Sequence, residues 1–286
     1  RDDVESRGLG DVYKRQLQGH RARKRFGQNF LHDRHWIERI AKAVNATEGD
    51  DIVEIGPGQA ALTRELIAGA GKVRAVEIDR DLAAWLKETF PESLSLIEAD
   101  ALTLDWTQVA KNDNLRVVGN LPYNISSPLL FKLLEAADHV KDQHFMLQKE
   151  VVDRMVAQHG SKTYGRLSVM LQWRYRMQKL FDVPPGAFNP PPKVMSSVVR
   201  MISKAKEEVP SVDFELFSSV VANAFSQRRK TIRNALSALL SAEEIAACDV
   251  DPGTRAEALP LDAFVRLAQK AEALGRQAVT PGTTVD

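Results

Sequence analysis

Three acidic side chains follow the ends of three successive apolar segments in the first half of this 286-residue chain. Glu54 lies just before the glycines Gly56 and Gly58, Glu77 follows the next apolar run, and Asp100 follows the third. Glycines let a ligand approach the backbone, and an acid about 20 residues further on can accept the hydroxyl hydrogens of a ribose. A carboxylate at Glu54 would repel a pyrophosphate but can orient a sulfonium or an ammonium group, and Asp100 can accept from an adenine amine. The pattern therefore indicates a positively charged nucleoside cofactor, although NAD enzymes also place an acid at the position of Glu77.

A fourth apolar run ends in Asn120, Leu121, Pro122 and Tyr123. The exocyclic amine of adenine is a poor nucleophile because its lone pair is delocalised into the ring, so an enzyme that alkylates it must accept its hydrogens. The side-chain oxygen of Asn120 and the carbonyl of the Leu121–Pro122 bond are suited to this, and Tyr123 offers a ring for stacking a flipped or single-stranded base. With a sulfonium as donor the reaction depends mainly on positioning. Taken alone, the same residues also fit an ordinary turn.

The elements that must position these residues alternate between apolar runs and amphipathic stretches after residue 50. Such alternation predicts a parallel sheet that is covered by helices on both faces, and beyond the charged linker 204–210 all segments have helical periodicity. The predicted fold class is α/β, a Rossmann-like doubly wound domain followed by a small all-helical domain. The expected boundaries are 18–208 for the first domain and 209–286 for the second, and residues 1–17 are expected to be a leader that is non-native or disordered.

The formal net charge of +1 conceals an uneven distribution along the chain. Residues 1–49 carry +4, residues 50–140 carry −7, residues 141–199 carry +5 and residues 200–286 carry −1. The acidic block suits a cofactor with hydroxyls and amines, and the basic blocks suit a nucleic acid, although solvated surfaces have similar compositions.

One cysteine, Cys248, excludes a disulfide framework and a cysteine-based zinc site, so no metal is expected. No apolar run reaches the roughly 20 residues of a membrane span, so we expect a cytoplasmic protein without a membrane partner.

Several longer motifs surround these residues, and together they are specific. EIGPGQAALT, VEIDRDL, the strand end EAD and NLPYNIS are preceded by RKRFGQNFL and followed by FMLQKEVVDR, YGRLSV and FNPPPKV. From about Gly19 to the helical tail, the chain resembles the KsgA/RsmA family of small-subunit rRNA adenine dimethyltransferases. The resemblance implies that S-adenosylmethionine donates methyl groups to N6 of two adjacent adenines near the 3′ end of 16S rRNA, in the assembling 30S subunit. A monomer is expected.

The resemblance also implies roles for individual residues of this sequence. Asn29 and Leu31 are expected to line the cofactor pocket, Gly56 to lie beside the methionine part, Glu77 on the ribose, Asp100 on the adenine, and Asn120 at the reacting centre. Phe188 of FNPPPKV corresponds to the family's second aromatic residue, which is expected to sandwich the target adenine opposite Tyr123. A proline-rich segment cannot join a sheet interior, so it can hold this ring rigidly over the pocket.

Basic residues occur in three groups that could follow an RNA backbone or simply form solvated surface. Those predicted to bind RNA are Arg23, Lys24 and Arg25 before the cofactor segment, Arg174 before the proline-rich loop, and Arg228, Arg229, Lys230 and Arg233 in the tail. The last four are predicted to lie on one helix, where 229, 230 and 233 would form a stripe.

Three other functions remain open at this point. A large-subunit rRNA adenine methyltransferase of the macrolide-resistance type shares the glycine and N-x-P-[YF] motifs, although QNFL and FNPPPKV favour the small-subunit enzyme. A ribosome assembly factor with vestigial transferase activity would retain the same fold, but the acids and Asn120 argue against lost catalysis. A NAD-dependent enzyme is disfavoured by the G-P-G turn and by NLPY.

Overall fold

A computed structural model describes residues 28–282. Its strands are β1 (Phe30–Leu31), β2 (Ile52–Ile55), β3 (Val73–Glu77), β4 (Leu94–Glu98), β5 (Leu115–Asn120), β6 (Val140–Gln148), β7 (Tyr175–Val183), β8 (Phe188–Asn189) and β9 (Ser196–Ser203). Its α-helices are α1 (Arg34–Val44), α2 (Ala61–Ala70), α3 (Arg80–Thr89), α4 (Trp106–Val109), α5 (Ser126–Leu134), α6 (Lys149–Met155), α7 (Arg166–Arg174), α8 (Phe214–Phe225), α9 (Ile232–Ala235), α10 (Ala242–Ala246) and α11 (Leu261–Ala273). Among the residues that the structure describes, none of the helices combines the length and the apolar character needed to span a membrane.

The central sheet has seven strands in the order β4-β3-β2-β5-β6-β9-β7. Strands β4, β3, β2, β5 and β6 run parallel, and β9 runs antiparallel to both of its neighbours, β6 and β7. The α/β fold predicted from the apolar runs is therefore confirmed. The strand order reverses direction between β2 and β5, and ligands of such sheets bind beyond the carboxyl ends of the strands at this point.

The sheet is covered on both faces, which explains the apolar runs. One face packs against Ile40 of α1 and Leu66 of α2, and the other packs against Leu129 of α5 and Val169 of α7. Gly119 of β5 lies so close to β2 that a Cβ atom there would come within 2.8 Å of the carbonyl oxygen of Ile55. The two central strands can approach at the switch point because this residue has no side chain.

The helical tail packs against the second face of the sheet domain. Its buried residues Phe217 and Phe264 belong to the same apolar cluster as Val169 of α7, and the rings of Trp173 and Phe217 lie 5.3 Å apart. A capping box begins α10, because Glu244 N donates to Ser241 Oγ and Ser241 N donates to Glu244 Oε2. The boundary at 208/209 stays a prediction.

One predicted helix is shorter than its sequence pattern suggests. The segment TIRNALSALL forms helix α9 only over Ile232–Ala235 and continues as a turn. Backbone hydrogen bonds from Ile232 N to Thr254 O and from Arg233 N to Pro252 O tie the first turn of α9 to a neighbouring loop.

A two-stranded ribbon connects the start of the described chain with the proline-rich loop. In this ribbon β1 and β8 run antiparallel, with Phe30 opposite Asn189 and Leu31 opposite Phe188. The backbone N–H groups of His32 and Asp33 both donate to the carbonyl of Ala187. The segment expected to hold the cofactor and the loop expected to hold the target base are therefore one structural unit.

Candidate active site

A cavity of about 340 Å³ lies at the carboxyl ends of β2, β3 and β5. The predicted cofactor and catalytic residues that line it are Asn29, Leu31, Glu54, Gly56, Gly58, Glu77, Asp100, Asn120, Leu121, Pro122, Tyr123 and Phe188. These residues are far apart in the sequence. They lie close together because the parallel strands that most of them follow all end at the same edge of the sheet.

The glycine turn between β2 and α2 forms one wall of the cavity. Gly56 and Gly58 have φ angles of +67° and +56°, which L side chains rarely adopt. The N–H of Gly56 donates to Val76 O, so the turn is held against β3. A Cβ atom at Gly58 would lie 3.1 Å from Cδ1 of Phe30. The turn therefore depends on glycine both for its conformation and for its contact with the β1–β8 ribbon.

Glu54 is a buried carboxylate at the centre of this wall. Its side chain is 3% exposed, and the hydroxyl of Thr63 donates to Oε2 at 2.6 Å. Burial raises the pKa of Glu54 to about 7; the hydrogen bond from Thr63 opposes this rise, and the nearby Glu77 adds to it. A cation that enters the cavity would be favoured by this carboxylate, because it would offset the cost of keeping the charge buried.

Glu77, the last residue of β3, is held by the backbone on either side of it. The N–H of Asp79 donates to Oε1 at 2.9 Å, and the N–H of Gly58 donates to Oε2 at 3.3 Å. Burial raises the pKa of Glu77, and these two hydrogen bonds oppose the rise. Each carboxylate oxygen has a further lone pair, so both can still accept from a pair of ribose hydroxyls. Asp79 itself caps α3, because its side chain accepts from the N–H groups of Asp81 and Leu82.

Asp100 lies beyond the end of β4 and is fixed by a local turn. Its Oδ1 accepts from the N–H of Leu102 at 2.9 Å, and its carbonyl accepts from Thr103. The carboxylate lines the same cavity as Glu77. Its acceptor oxygens are suited to the amino group of a purine on this side of the site.

Asn120 ends β5 at the far side of the glycine turn. Its Nδ2 donates to the carbonyl of Asn29 at 3.1 Å. The NH2 group of the side chain therefore faces the residue that precedes β1 in the β1–β8 ribbon. The next residue, Leu121, donates its N–H to Met146 O, so the backbone of the motif is anchored to β6. Proline at position 122 has no N–H that could donate to the side-chain oxygen of Asn120 two residues before it. This oxygen and the Leu121 carbonyl can then both serve as acceptors.

The two aromatic residues differ in exposure. The side chain of Tyr123 is 57% exposed at the lip of the cavity, whereas that of Phe188 is 3% exposed and paired with Leu31 in the ribbon. Ser126 Oγ donates to Tyr123 O at 3.1 Å, which fixes the turn that carries the tyrosine. The cavity thus offers an accessible ring on one side and a buried ring on another.

Two residues of this site were missed in the sequence. Ile78 lines the cavity directly after Glu77 and is 44% exposed, an unusual position for a large aliphatic side chain. Gln28 also lines the cavity and donates from Nε2 to Asp79 Oδ2 at 3.1 Å. The signal that could have revealed Ile78 is its place directly after Glu77, where an aliphatic residue continues the buried strand. Gln28 is part of the FGQNFL motif.

The basic residues predicted to bind RNA require two corrections. Arg23, Lys24 and Arg25 lie outside the described residues. Arg174 is not available to RNA, because it is 6% exposed and its guanidinium donates to Lys204 O and to Asp138. This arginine is the last residue of α7, and its guanidinium connects the linker at Lys204 with Asp138 instead of facing solvent.

The tail residues are exposed, but they are not on one helix. Arg228, Arg229 and Lys230 occupy the turn between α8 and α9, and only Arg233 lies in α9. The turn is shaped by a hydrogen bond from Arg228 to Lys162 O and by an isolated bridge between Thr231 and Arg255. The side chain of Arg255 is exposed as well, so the basic surface is larger than the sequence indicated.

Comparisons with known proteins identify close relatives. A sequence model described as "Ribosomal RNA adenine dimethylase" matches residues 19–272. The chain is 57% identical to ribosomal RNA small subunit methyltransferase A of Thiobacillus denitrificans over 241 residues. This alignment covers 84% of this chain and 94% of the relative. The protein of the same name from Pseudomonas aeruginosa is 52% identical over 258 residues, with coverage of 89% and 96%.

Solved structures show the same fold. A dimethyladenosine transferase from Plasmodium falciparum superposes with a TM-score of 0.77 at 25% identity, and the match covers 87% of this chain and all of that one. The 23S rRNA methyltransferase ErmE superposes with a TM-score of 0.67 at 26% identity, with coverage of 85% and 100%. Both the sequence relatives and the structural relatives are rRNA or dimethyladenosine transferases by name.

Proposed function

The chain belongs to the ribosomal RNA adenine dimethylase family, and we propose that it transfers methyl groups to N6 of two adjacent adenines near the 3′ end of 16S rRNA. The products are dimethyladenosines, formed while the small subunit matures. The observation that carries the proposal is the position of Asn120 to Tyr123 in the same cavity as Glu54, Glu77 and Asp100. An acceptor pair for an adenine amine and a set of acids for a cationic nucleoside thus share one space.

The residues of the cavity fit S-adenosylmethionine. This molecule supplies a methyl group on a positively charged sulfur, which is already activated for transfer. Glu77 would accept the ribose hydroxyls, Asp100 the adenine amine, and Glu54 would face the positive end. Asn29, Leu31 and Ile78 would cover the apolar parts, and the glycine turn lets the backbone approach.

The target adenine would be held by the residues of β5 and of the proline-rich loop. Tyr123 and Phe188 supply rings on which a base out of its stack can rest. The Asn120 oxygen and the Leu121 carbonyl would accept the two N6 hydrogens and draw the nitrogen toward tetrahedral geometry. Neither group is a strong base, so the proton lost after transfer passes to solvent at the open lip, where Tyr123 is 57% exposed.

The second methylation uses the same acceptors. After one transfer, N6 carries a methyl group and a single hydrogen, so one of the two acceptors is enough to orient it. The methyl group that is already present would then be accommodated by the apolar part of the cavity, to which Leu31 contributes. Two rounds of transfer to one nitrogen therefore need no change in the catalytic groups.

Substrate RNA would be gathered by the exposed basic surface of the tail. Arg228, Arg229, Lys230, Arg233 and Arg255 are all exposed there. Contacts of such a surface with phosphates give affinity that falls with salt, and they position the RNA without reading its sequence. A folded ribosomal site is then recognised by shape and by splayed bases. Because the substrate is rRNA and one cysteine suits a reducing compartment, we propose that a monomer acts in the cytoplasm on the assembling 30S subunit.

The choice of the small subunit over the large one rests on sequence identity. The relatives named for the small subunit are 52% and 57% identical to this chain, whereas ErmE is 26% identical. The experiment that tests the proposal is transfer of labelled methyl groups to unmethylated small subunits and, in parallel, to large-subunit rRNA, with the product nucleoside identified by mass spectrometry. Dimethyladenosine on the small subunit alone is expected; label on the large-subunit RNA alone would contradict the proposal, and no transfer would leave only an assembly role.

A further inference from the structure

One face of β9 runs from the floor of the cavity to its lip. Val198 and Ser196 lie on one face of this strand, Val194 lies in the bend just before it, and all three line the cavity. Their side chains are 1%, 9% and 46% exposed, respectively. Val194 is therefore the outermost of the three and lies where the cavity opens to solvent; Tyr123, which lines the same cavity, is exposed to a similar extent.

The lip is apolar and yet open to water. Tyr123 and Val194 are both large apolar side chains that are about half exposed, and both line the cavity. Apolar side chains that stay half exposed where a cavity opens are available to pack against a part of the ligand that extends out of it. The segment that carries Val194 is anchored, because Lys149 N donates to Met195 O at 2.9 Å. A ligand would meet a preformed surface here.

The charge beside this surface is positive. Lys193 precedes Val194 and is exposed, and no ion pair involves it within residues 28–282. Two acids on the neighbouring elements are paired with other lysines: Asp153 contacts Lys149 and Lys179, at 2.6 Å and 3.0 Å, and Asp182 contacts Lys179 at 3.0 Å. The charge of Lys193 therefore remains available to an anion at the lip.

We propose that Lys193 and Val194 form a binding site for the nucleotide adjacent to the target adenine. The base of that nucleotide packs on Val194, and its phosphate contacts Lys193. The inference rests on the proposed function, because a base drawn into the cavity carries its chain neighbour to the lip. It adds a specificity contact outside the pocket that holds the reacting base.

The experiment uses small subunits in which only one adenine can react. The neighbour of the target adenine is replaced either by purine riboside, which keeps a flat base but has no N6 amine, or by an abasic sugar. Initial rates of methyl transfer are measured with the wild type, Val194→Ser and Lys193→Gln. Matched controls are Ile202→Ser, which is 45% exposed at the far end of β9, and Lys72→Gln, which is exposed at the amino end of β3.

The wild type is expected to favour the purine riboside substrate by about fivefold in kcat/KM, mainly through KM, since half of one aliphatic side chain is covered. Val194→Ser loses this preference and reacts with both substrates at the lower rate. Lys193→Gln slows both substrates equally and makes the apparent affinity less sensitive to salt. The two control variants retain the wild-type preference, and the affinity for S-adenosylmethionine and the melting temperature stay unchanged throughout.

Two results would overturn the inference while leaving the proposed function intact. A wild-type enzyme that methylates both substrates equally well has no site for the neighbouring base. A Val194→Ser variant that keeps the full preference shows that the base is bound elsewhere. Absence of transfer from the wild type to either substrate and to unmodified small subunits would instead refute the proposed function, and the inference with it.

Discussion

The side-chain amide of Asn120 donates from Nδ2 to the backbone carbonyl of Asn29 at 3.1 Å. The two ends of an amide are chemically distinct, so this bond leaves Oδ1 as the end available to a substrate amine. Asn29 directly precedes β1, which is paired with the loop that carries Phe188. The orientation of the reacting acceptor thus depends on the same ribbon that holds the cofactor segment against the target-base loop.

Replacing Asn120 with alanine should lower kcat by about 100-fold or more, because it removes the acceptor at the reacting amine. The affinity for S-adenosylmethionine should change much less, because on the cofactor side only the hydrogen bond to Asn29 O is lost. Single-turnover methyl transfer and equilibrium dialysis measure the two quantities. A matched control is Asn114→Ala, which removes an exposed asparagine just before the amino end of β5. Equal losses of turnover and cofactor affinity in Asn120→Ala would show that Asn120 is structural.

Cofactor affinity should rise with pH because of Glu54. Its pKa of about 7 in the free enzyme means that the carboxyl is largely protonated at pH 6 and largely ionised at pH 8. Only the ionised form attracts a cation, so the dissociation constant of S-adenosylmethionine should fall by about tenfold from pH 6 to pH 8. Calorimetric titrations in buffers of different ionisation enthalpy would also detect the proton released on binding.

Glu54→Gln should bind the cofactor more weakly and with a flat pH profile over this range. Folding stability has the opposite pH dependence: the native carboxyl keeps its proton when the unfolded one has lost it, so the free energy of unfolding falls as pH rises from about 4.5 to 7. The slope is at most about 1.4 kcal/mol per pH unit for one group. If Glu54→Gln retains the wild-type pH profile of binding, another group is responsible.

Much of the fold could be predicted because parallel strands buried on both faces leave a strong signal. The runs that became β2, β3, β4, β5 and β6 are short and apolar, and each is followed by a turn or a helix. Strand β7 gave no such signal, because Tyr175–Val183 lies at the sheet edge and alternates between polar and apolar residues of mixed exposure. Its pairing with β9 is a long-range contact that local pattern does not encode.

The site was predictable where chemistry requires a residue type at a strand end. One cavity is lined by all four residues that were predicted at strand ends, which are Glu54, Glu77, Asp100 and Asn120. A parallel sheet brings such strand ends to the same edge. Exposure was not predictable: Arg174 occurs in a basic segment that looks like a solvated face, but its position at the end of α7 buries it against Asp138. A sequence shows that a charge is present, and only packing determines whether it faces solvent.

Reversing the charge at Arg228 and Arg229 should weaken binding to small subunits and flatten its salt dependence. Each lost phosphate contact lowers the slope of log affinity against log salt by roughly 0.7 to 0.9. Arg255→Glu should have the same effect, because Arg255 lies across the bridge from Thr231 in the same exposed surface. Binding is measured by filter assay at several salt concentrations, with Lys72→Glu, an exposed lysine just before β3, as the control.

Unchanged affinity and slope in the Arg228 and Arg229 variant would assign these residues to ordinary solvated surface. A loss that is the same at every salt concentration would indicate a damaged fold, since Arg228 also donates to Lys162 O. Arg229→Glu alone distinguishes the two cases, because no hydrogen bond or ion pair within the described part of the chain involves its side chain.

Arg174→Ala should destabilise the protein without changing its affinity for RNA. The guanidinium is buried between α7 and the linker, and its removal leaves Lys204 O without its donor and Asp138 without its partner. We expect the free energy of unfolding in urea to fall by about 2 to 3 kcal/mol. Arg176→Ala is the matched control: its side chain is 57% exposed and paired with Glu208 at the surface, so the free energy of unfolding should fall much less than in Arg174→Ala. Weaker RNA binding by a fully stable Arg174→Ala variant would restore the role in RNA contact that the sequence suggested, because it would require the guanidinium to leave its buried position when RNA binds.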